Sequence, residues 1–439
     1  MNNAQPRSWG VEPVPTEHRT LGFFDFFVLW GNLGIGLLVL LAGSFLVPGL
    51  SFLQAGAAII IGSAVGCLLL STVGAVGSEL KVPTMVLLRS VLGIRGSYLP
   101  SVLNVVQLFG WTVFELVIMG YTANAILKTF FAFDNYVLTT AVCALIVIFM
   151  GLMGLAIIRH WLRKIAVWIV FATTGYITYQ VLSTDNILSL MLKAGDGSLS
   201  FWAAVDLVIA MPISWLPLIA DFNRFANKTS SAFYGTFIGY FLANTWMYAV
   251  GALLLLATGI TQETQGFVTA VLLLTGWLAL LILLVDETKE AWSNLYSSVI
   301  STQNIFPRLD YKKTVIGFGI AAFLVAAVID ITQYQSFLYL IGSVFIPLFA
   351  ILIADYFVFR RGTFNTDDLY SSGGTFWFQK GIHAGAIAIW FIGIGIYQYI
   401  AHTATFGASM PTFISVFLVY SIYRFSIKAV RGRTSAVNV

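Results

Sequence analysis

Two clusters of polar residues interrupt otherwise apolar stretches of this 439-residue chain. In the first, Gln107, Trp111 and Glu115 recur at i, i+4 and i+8, which puts them on one face of a helix. An amide, an indole plane and a carboxyl can together recognise a planar heteroaromatic ring. The indole stacks on the ring while the polar groups hydrogen-bond its edge. The plainer use is structural, with Gln107 and Glu115 bonding neighbouring helices and Trp111 packing. The second cluster reads Asp286-Glu-Thr-Lys289-Glu290-Ala-Trp-Ser293-Asn294-Leu-Tyr-Ser297. At about 100° per residue, Asp286, Glu287, Lys289, Glu290, Ser293, Asn294 and Ser297 share one arc of roughly 160°. Thr288, Trp292 and Leu295 lie on the other side. An ionisable group at the centre of a membrane span costs about 2.5–3.5 kcal/mol, so this face should line a bundle interior or a water-filled path. Lys289 can pair with Asp286 one turn earlier. A purely structural ion-pair cluster and a solvated loop between two shorter helices are the other readings.

The elements that must position these groups include two interrupted helices. The first carries Trp30-Gly31-Asn32-Leu33-Gly34-Ile35-Gly36. Each glycine weakens a helix by about 1 kcal/mol relative to alanine. The second carries Met211-Pro212-Ile213-Ser214-Trp215-Leu216-Pro217, whose prolines remove two backbone donors. Broken membrane helices free backbone groups that can bind a substrate or an ion. Glycine packing between helices is the competing explanation for the first of them.

Composition sets the solvent. Hydrophobic residues make up 59% of the chain and charged residues 10%, against roughly 25% charged in a soluble domain. Mean hydropathy is +0.88. A soluble enzyme, a disordered regulator and a nucleic-acid-binding module are excluded, and a net charge of +4 gives no reason to expect a nucleic-acid partner. A spanning helix needs about 20 apolar residues. Candidate spans run approximately 21–47, 51–78, 98–127, 136–158, 163–183, 200–220, 232–259, 266–300, 314–330, 337–358, 378–401 and 410–427. The eighth is too long for one plain span. With the N-terminus inside, every Lys and Arg falls on the cytoplasmic side except Lys128 and Lys193 outside and Lys289 within a span. That pattern predicts both termini in the cytoplasm of a cell with an inner membrane. No segment is long enough for an ATP-binding domain, so transport would be gradient-driven. The first and sixth spans lie five helices apart, the spacing expected of two inverted repeats.

Other residues are assigned plain roles. Cys67 and Cys143 read as buried thiols, and Gly62 and Gly66 as a packing motif. His383 and His402 read as interfacial. Asp206 and Asp330, near outer ends of spans, are candidate gate residues.

Four ordered motifs resemble one family. Pro83-Thr-Met-Val-Leu-Leu-Arg89-Ser-Val-Leu-Gly93-Ile-Arg-Gly96-Ser97-Tyr-Leu-Pro100 is similar to the R-x-x-F-G-x-x-G-S-x-x-P loop of nucleobase–cation symporter-1 permeases. Gly110-Trp111 resembles that family's helix-3 pair. Ala220-Asp221-Phe222-Asn223-Arg224-Phe225 resembles its motif after helix 6, and Ile353-Ala354-Asp355-Tyr356 with Arg360-Arg361 its motif closing helix 10. The resemblance spans about residues 9–430. The runs Trp9-Gly-Val-Glu-Pro-Val-Pro, Ile213-Ser-Trp-Leu-Pro-Leu and Asp286-Glu-Thr look most like the CytX-type branch, regarded as transporters of hydroxymethylpyrimidine, a thiamine precursor.

The resemblance implies an all-α, leucine-transporter-like fold of 12 transmembrane helices. Its parts would be a tail (1–20), a first repeat (21–185), a second repeat (186–358), helices 11 and 12 (359–430) and a C-terminal tail (431–439). It also implies a site in which substrate stacks on Trp111, with Gln107 near the ring edge, Ser214 and Trp215 from helix 6 and Asn294 from helix 8. Gln107 stands four residues before the tryptophan, where cytosine permeases have their glutamine three before it. Glu115 and Gly34 join this expected substrate set. Sodium-coupled members use helix-1 carbonyls, matched around Gly34 and Leu37, and two adjacent helix-8 hydroxyls, matched to Thr288 and Lys289. A lysine there would repel sodium, so Lys289, with Asp286 and Glu290, points to proton coupling or none. The expectation is a secondary importer of a pyrimidine, hydroxymethylpyrimidine or cytosine, embedded in lipid. It needs no cofactor beyond a coupling proton or sodium and no obligatory protein partner. The alternatives are a sodium-coupled symporter of a purine, allantoin or hydantoin, a channel, and a membrane-embedded enzyme.

Overall fold

A computed structural model describes residues 10–153, 166–259, 264–329, 333–362, 365–403 and 406–437. The first apolar segment forms α1 (Phe23–Leu33) and α2 (Leu37–Ser44), bent by 59° at the intervening glycines. Gly36 is extended there, with φ −172° and ψ 162°. A Cβ on it would lie 2.7 Å from Glu290 Oε1, so a close approach, not a left-handed φ, calls for glycine.

Next comes α3 (Phe52–Leu80), opened by a capping box in which Ser51 Oγ accepts from Gln54 N and Gln54 Oε1 accepts from Ser51 N. It is followed by α4 (Tyr98–Phe131), α5 (Tyr136–Met153), α6 (Ala166–Leu182) and α7 (Phe201–Ser214). The chain then turns through Trp215–Leu218 into the short α8 (Ile219–Asn223). Pro217 has no N–H to continue a helix, which is why α7 cannot run on. The remaining helices are α9 (Thr229–Thr258), α10 (Thr264–Ile305), α11 (Tyr311–Ala326), α12 (Tyr334–Ile353), α13 (Ala384–Thr403) and α14 (Ser409–Val437). The excess length of α10 is explained by a kink at Gly276, where φ is +78°. Beyond that kink α10 is continuous to Ile305, so the polar face is not a loop.

Among the described residues, each predicted interval contains a helix. Among the described residues, eight are long and apolar enough to cross a membrane, or nine if α1 and α2 count as one span. The helices α6, α7 and α11 are shorter, at 17, 14 and 16 residues. In packing, α10 lies along α4, α9 contacts α1, α2 and α3, and α7 lies between α3 and α12. Gly62 and Gly66 are packing residues: a Cβ there would lie 2.6 Å from Val208 Cβ and 2.3 Å from Pro212 Cγ. Large apolar side chains such as Leu53, Leu145 and Phe149 point outward, while most buried polar groups point between helices. This is the arrangement a lipid solvent demands.

Candidate substrate and coupling site

The acidic face of α10 docks into the break of helix 1. A helix interruption leaves amides without partners at the start of α2 and carbonyls without partners at the end of α1. Glu287 Oε2 accepts from Leu37 N at 2.8 Å. Lys289 Nζ donates to Ile35 O at 3.0 Å and also pairs with Asp286 Oδ2. Asn32 Nδ2 reaches Asp286 Oδ1 at 3.5 Å. Each polarity of the broken helix thus meets the opposite charge from α10.

Above this contact three carboxyls converge. Glu115 from α4 and Glu287 and Glu290 from α10 offer oxygens within 4.8 Å of one another. Their exposures are 1%, 0% and 4%. Glu115 Oε2, Glu287 Oε1 and Glu290 Oε1 have no hydrogen-bond partner. The ammonium of Lys289, already paired with Asp286, stands 3.8 Å from Glu290 Oε1. One shared cation cannot compensate so many buried anions. Such a cluster calls for neutralisation by protons or by a further cation.

A narrow cavity adjoins the carboxyls. It is lined by Trp111 and Glu115 of α4, Ser214 and Trp215 at the α7 break, and Glu290 and Asn294 of α10. Leu38 and Val39 of α2 and Tyr240 of α9 close it. Only about 10 Å³ admits the centre of a water-sized sphere, roughly the room of one water molecule. Any molecule larger than water therefore needs the walls to part. Trp111 is held edge-on by Tyr334 and Phe337 at 5.8 and 5.5 Å between centroids. Trp215 meets the edge of Trp30 at 5.7 Å.

The structure brings Trp111, Glu115, Ser214, Trp215, Glu290 and Asn294 to one place, and Gly34, Leu37, Lys289 and Asp286 to the adjoining break. Three expectations change. Gln107 does not line the cavity: its Nε2 donates to Ser214 O at 2.8 Å and to Asn104 Oδ1 at 3.0 Å. It satisfies a carbonyl released where α7 stops. Thr288 does not reach the break. It donates to Val285 O and faces an apolar groove between α4, α5 and α10, because one residue along a helix is about a 100° rotation. Asp206 is not at a gate either, since it accepts from Ala408 N and Ser409 N and caps α14. Asp330 lies outside the described residues.

Three site residues escape the sequence reading. Glu287 belongs to the polar arc, but only its contact with Leu37 N singles it out. Tyr240 and Tyr334 carry no local signal, since each is one aromatic residue among many in its helix.

The fold and the two broken helices define a membrane-embedded secondary transporter of the leucine-transporter type. Among solved structures, the nucleobase–cation-symport-1 transporter Mhp1, closed with bromovinylhydantoin bound, superimposes with a TM-score of 0.83 at 20% identity, covering 97% of both chains. A Na+-coupled sialic acid symporter gives 0.64 at 13% identity, over 96% of this chain and 92% of its own. At these identities the likeness concerns the fold. In sequence, residues 13–422 match the family described as permease for cytosine/purines, uracil, thiamine, allantoin. The chain belongs to this nucleobase–cation symporter-1 family. Its relatives include the cytosine permease of Escherichia coli K12, 25% identical over 82% of this chain and 83% of its own. Another is the hydantoin permease of Microbacterium maritypicum, 22% identical over 88% of this chain and 82% of its own.

Proposed function

We propose that the protein imports a pyrimidine-type molecule, hydroxymethylpyrimidine or cytosine, by alternating access coupled to protons. The observation that carries the substrate half is the convergence of Trp111, Trp215, Glu115 and Asn294 on one cavity between the broken helices. Two indole planes provide stacking surface, and a carboxyl with an amide provides acceptors and donors for a ring edge. The family's range and the cytosine permease relative support this class of substrate. The proposed repeats, 21–185 and 186–358, would rock against each other around the cavity.

The coupling half rests on Lys289. A sodium ion at the helix-1 break would need carbonyl and hydroxyl oxygens. There, Ile35 O already accepts from the ammonium, and Thr288 faces away. The residues do not fit sodium at that position. The carboxyls of Glu115, Glu287 and Glu290 supply proton-accepting oxygens beside the substrate cavity. A second reading, coupling to a metal cation held by these same carboxyls, is favoured by their spacing within 4.8 Å. Purified protein in proteoliposomes separates the two. Uptake of labelled hydroxymethylpyrimidine or cytosine should follow an inward pH gradient and ignore a sodium gradient. Uptake driven by sodium alone would overturn the proton reading. A thermal-shift panel of pyrimidines, purines and hydantoins on wild type and Trp111→Ala tests the substrate. The true substrate should stabilise only the wild type.

A further inference from the structure

A second polar cavity lies far from the substrate site in sequence and function. Asp355, just past α12, is 1% exposed and accepts from Tyr420 Oη at 2.9 Å and Arg360 Nε at 2.5 Å. Arg424 Nη2 stands 3.3 Å from its other oxygen. Two guanidiniums thus converge on one carboxylate, and Arg360 Nη2 also donates to Ser90 O at 3.4 Å. Both are fixed over aromatic rings: Arg360 at 4.5 Å from the Phe376 centroid and Arg424 at 5.6 Å from that of Phe359. Both line a cavity of about 460 Å³ with Gln379, His383 and Tyr423, and among the described residues no Asp or Glu lines it. Arg424 Nε is buried there with no partner. His383 Nδ1 lies 2.7 Å from Val91 O. A carbonyl can only accept, so the ring proton is on Nδ1 and Nε2 is left to accept from Tyr423 at 3.4 Å.

We infer that this cavity binds a phosphate group through Arg360 and Arg424, with Gln379 as a neutral donor. Arginine forks suit tetrahedral oxyanions, because their donors are planar, paired and always charged. Asp355 does not oppose the anion. Its oxygens are consumed by Arg360, Arg424 and Tyr420, and it fixes the arginine planes. The cavity lies beside α14, whose neighbouring Ile422 and Phe425 are 65% and 56% exposed, as a helix face turned to lipid would be. The phosphate can therefore belong to a phospholipid headgroup of the same leaflet or to a free phosphate in the adjoining aqueous phase. Basic pockets between membrane helices bind such headgroups elsewhere.

Thermal unfolding of the full-length protein in neutral detergent tests the site. Inorganic phosphate is one probe, and phosphatidylglycerol set against phosphatidylcholine in mixed micelles is the other. A rise in Tm with phosphate identifies the free anion, and a rise with phosphatidylglycerol alone identifies the headgroup. Gln379→Glu puts a carboxylate at the cavity without touching the Asp355 pairs. It should keep the wild-type Tm in phosphatidylcholine and lose the response. Arg424→Gln should lose it too, and serves if the first variant folds poorly. Equal responses in wild type and both variants, or no response to either probe, would overturn the proposal. Substrate-driven stabilisation should persist in both variants, which keeps this site separable from the transport reading.

Discussion

At the scale of single residues, most of the chemistry concerns how buried charge is balanced. Lys289 does three things at once: it closes a carbonyl of the broken helix, pairs with Asp286 and approaches Glu290. Removing one partner of a buried pair costs about 3–5 kcal/mol, because the other charge is stranded. Lys289→Met should therefore lower the thermal midpoint clearly and abolish pH-driven uptake. The double variant Lys289→Met with Asp286→Asn should recover part of the midpoint, which a calorimetric scan of the wild type, the two single variants and the double variant would read. Glu115 is different, since it meets only the carboxyls of Glu287 and Glu290 and has an unpartnered oxygen at the cavity. Glu115→Gln should leave stability unchanged or raised. In the proton-coupled reading, uptake into proteoliposomes rises as external pH falls. That rise should vanish in Glu115→Gln, while exchange of labelled for unlabelled substrate persists. A variant that keeps the wild-type pH profile would remove Glu115 from coupling.

At the scale of elements, each helix break is stabilised by a group from another helix. The α1–α2 break is held by α10, and the α7 break by Gln107 of α4 through Ser214 O. Gln107→Leu leaves that carbonyl buried and unpaired, a cost of about 1–3 kcal/mol. Its effect should appear in stability, and in substrate affinity only through displacement of Ser214 and Trp215. Gly36→Ala tests the other break. The added methyl would meet Glu290 Oε1 at 2.7 Å and push α10 from α2. Overpacking of this kind costs about 1–3 kcal/mol. Uptake should fall by at least tenfold even where the protein still folds, as measured by initial rates normalised to protein inserted. The four family motifs also act at this scale. Arg89 binds Asn304 Oδ1 and Leu369 O, Asp221 accepts from Thr84 N, and Arg224 donates to Gly10 O. Of these motifs, among the described residues, only Gly110-Trp111 lines the cavity between the broken helices, through Trp111; the other three tie loops and helix ends together.

At the scale of the whole molecule, the nearly closed cavity defines what transport has to accomplish. A substrate must gain far more room than the present 10 Å³, so the walls must separate on one side at a time. Orientation is testable here as well. Cys67 and Cys143 are buried, so the unmodified protein should react little with a membrane-impermeant maleimide. Asp196→Cys should be labelled in intact cells and Asp367→Cys only after the membrane is opened. The reverse pattern would invert the proposed topology.

The chain by itself determined its solvent, its helix intervals and its two interruptions. Those follow from local terms: scarcity of charge, apolar run length, and the backbone limits of glycine and proline. It also placed Trp111 and Glu115 on one face and Asp286, Lys289 and Asn294 on another, because helical periodicity is a local rule. Tertiary structure alone decided which of these groups meet. Periodicity gives an angle about one helix axis and says nothing of the distance to a neighbour. Gln107 left the cavity because the α7 break needed its amide, and Thr288 left the coupling site because it faces away from helix 1. Glu287 gained a role only when α10 was laid against the amide of Leu37. The length of α10 was legible, but the kink at Gly276 that explains it depends on a backbone torsion that composition does not encode.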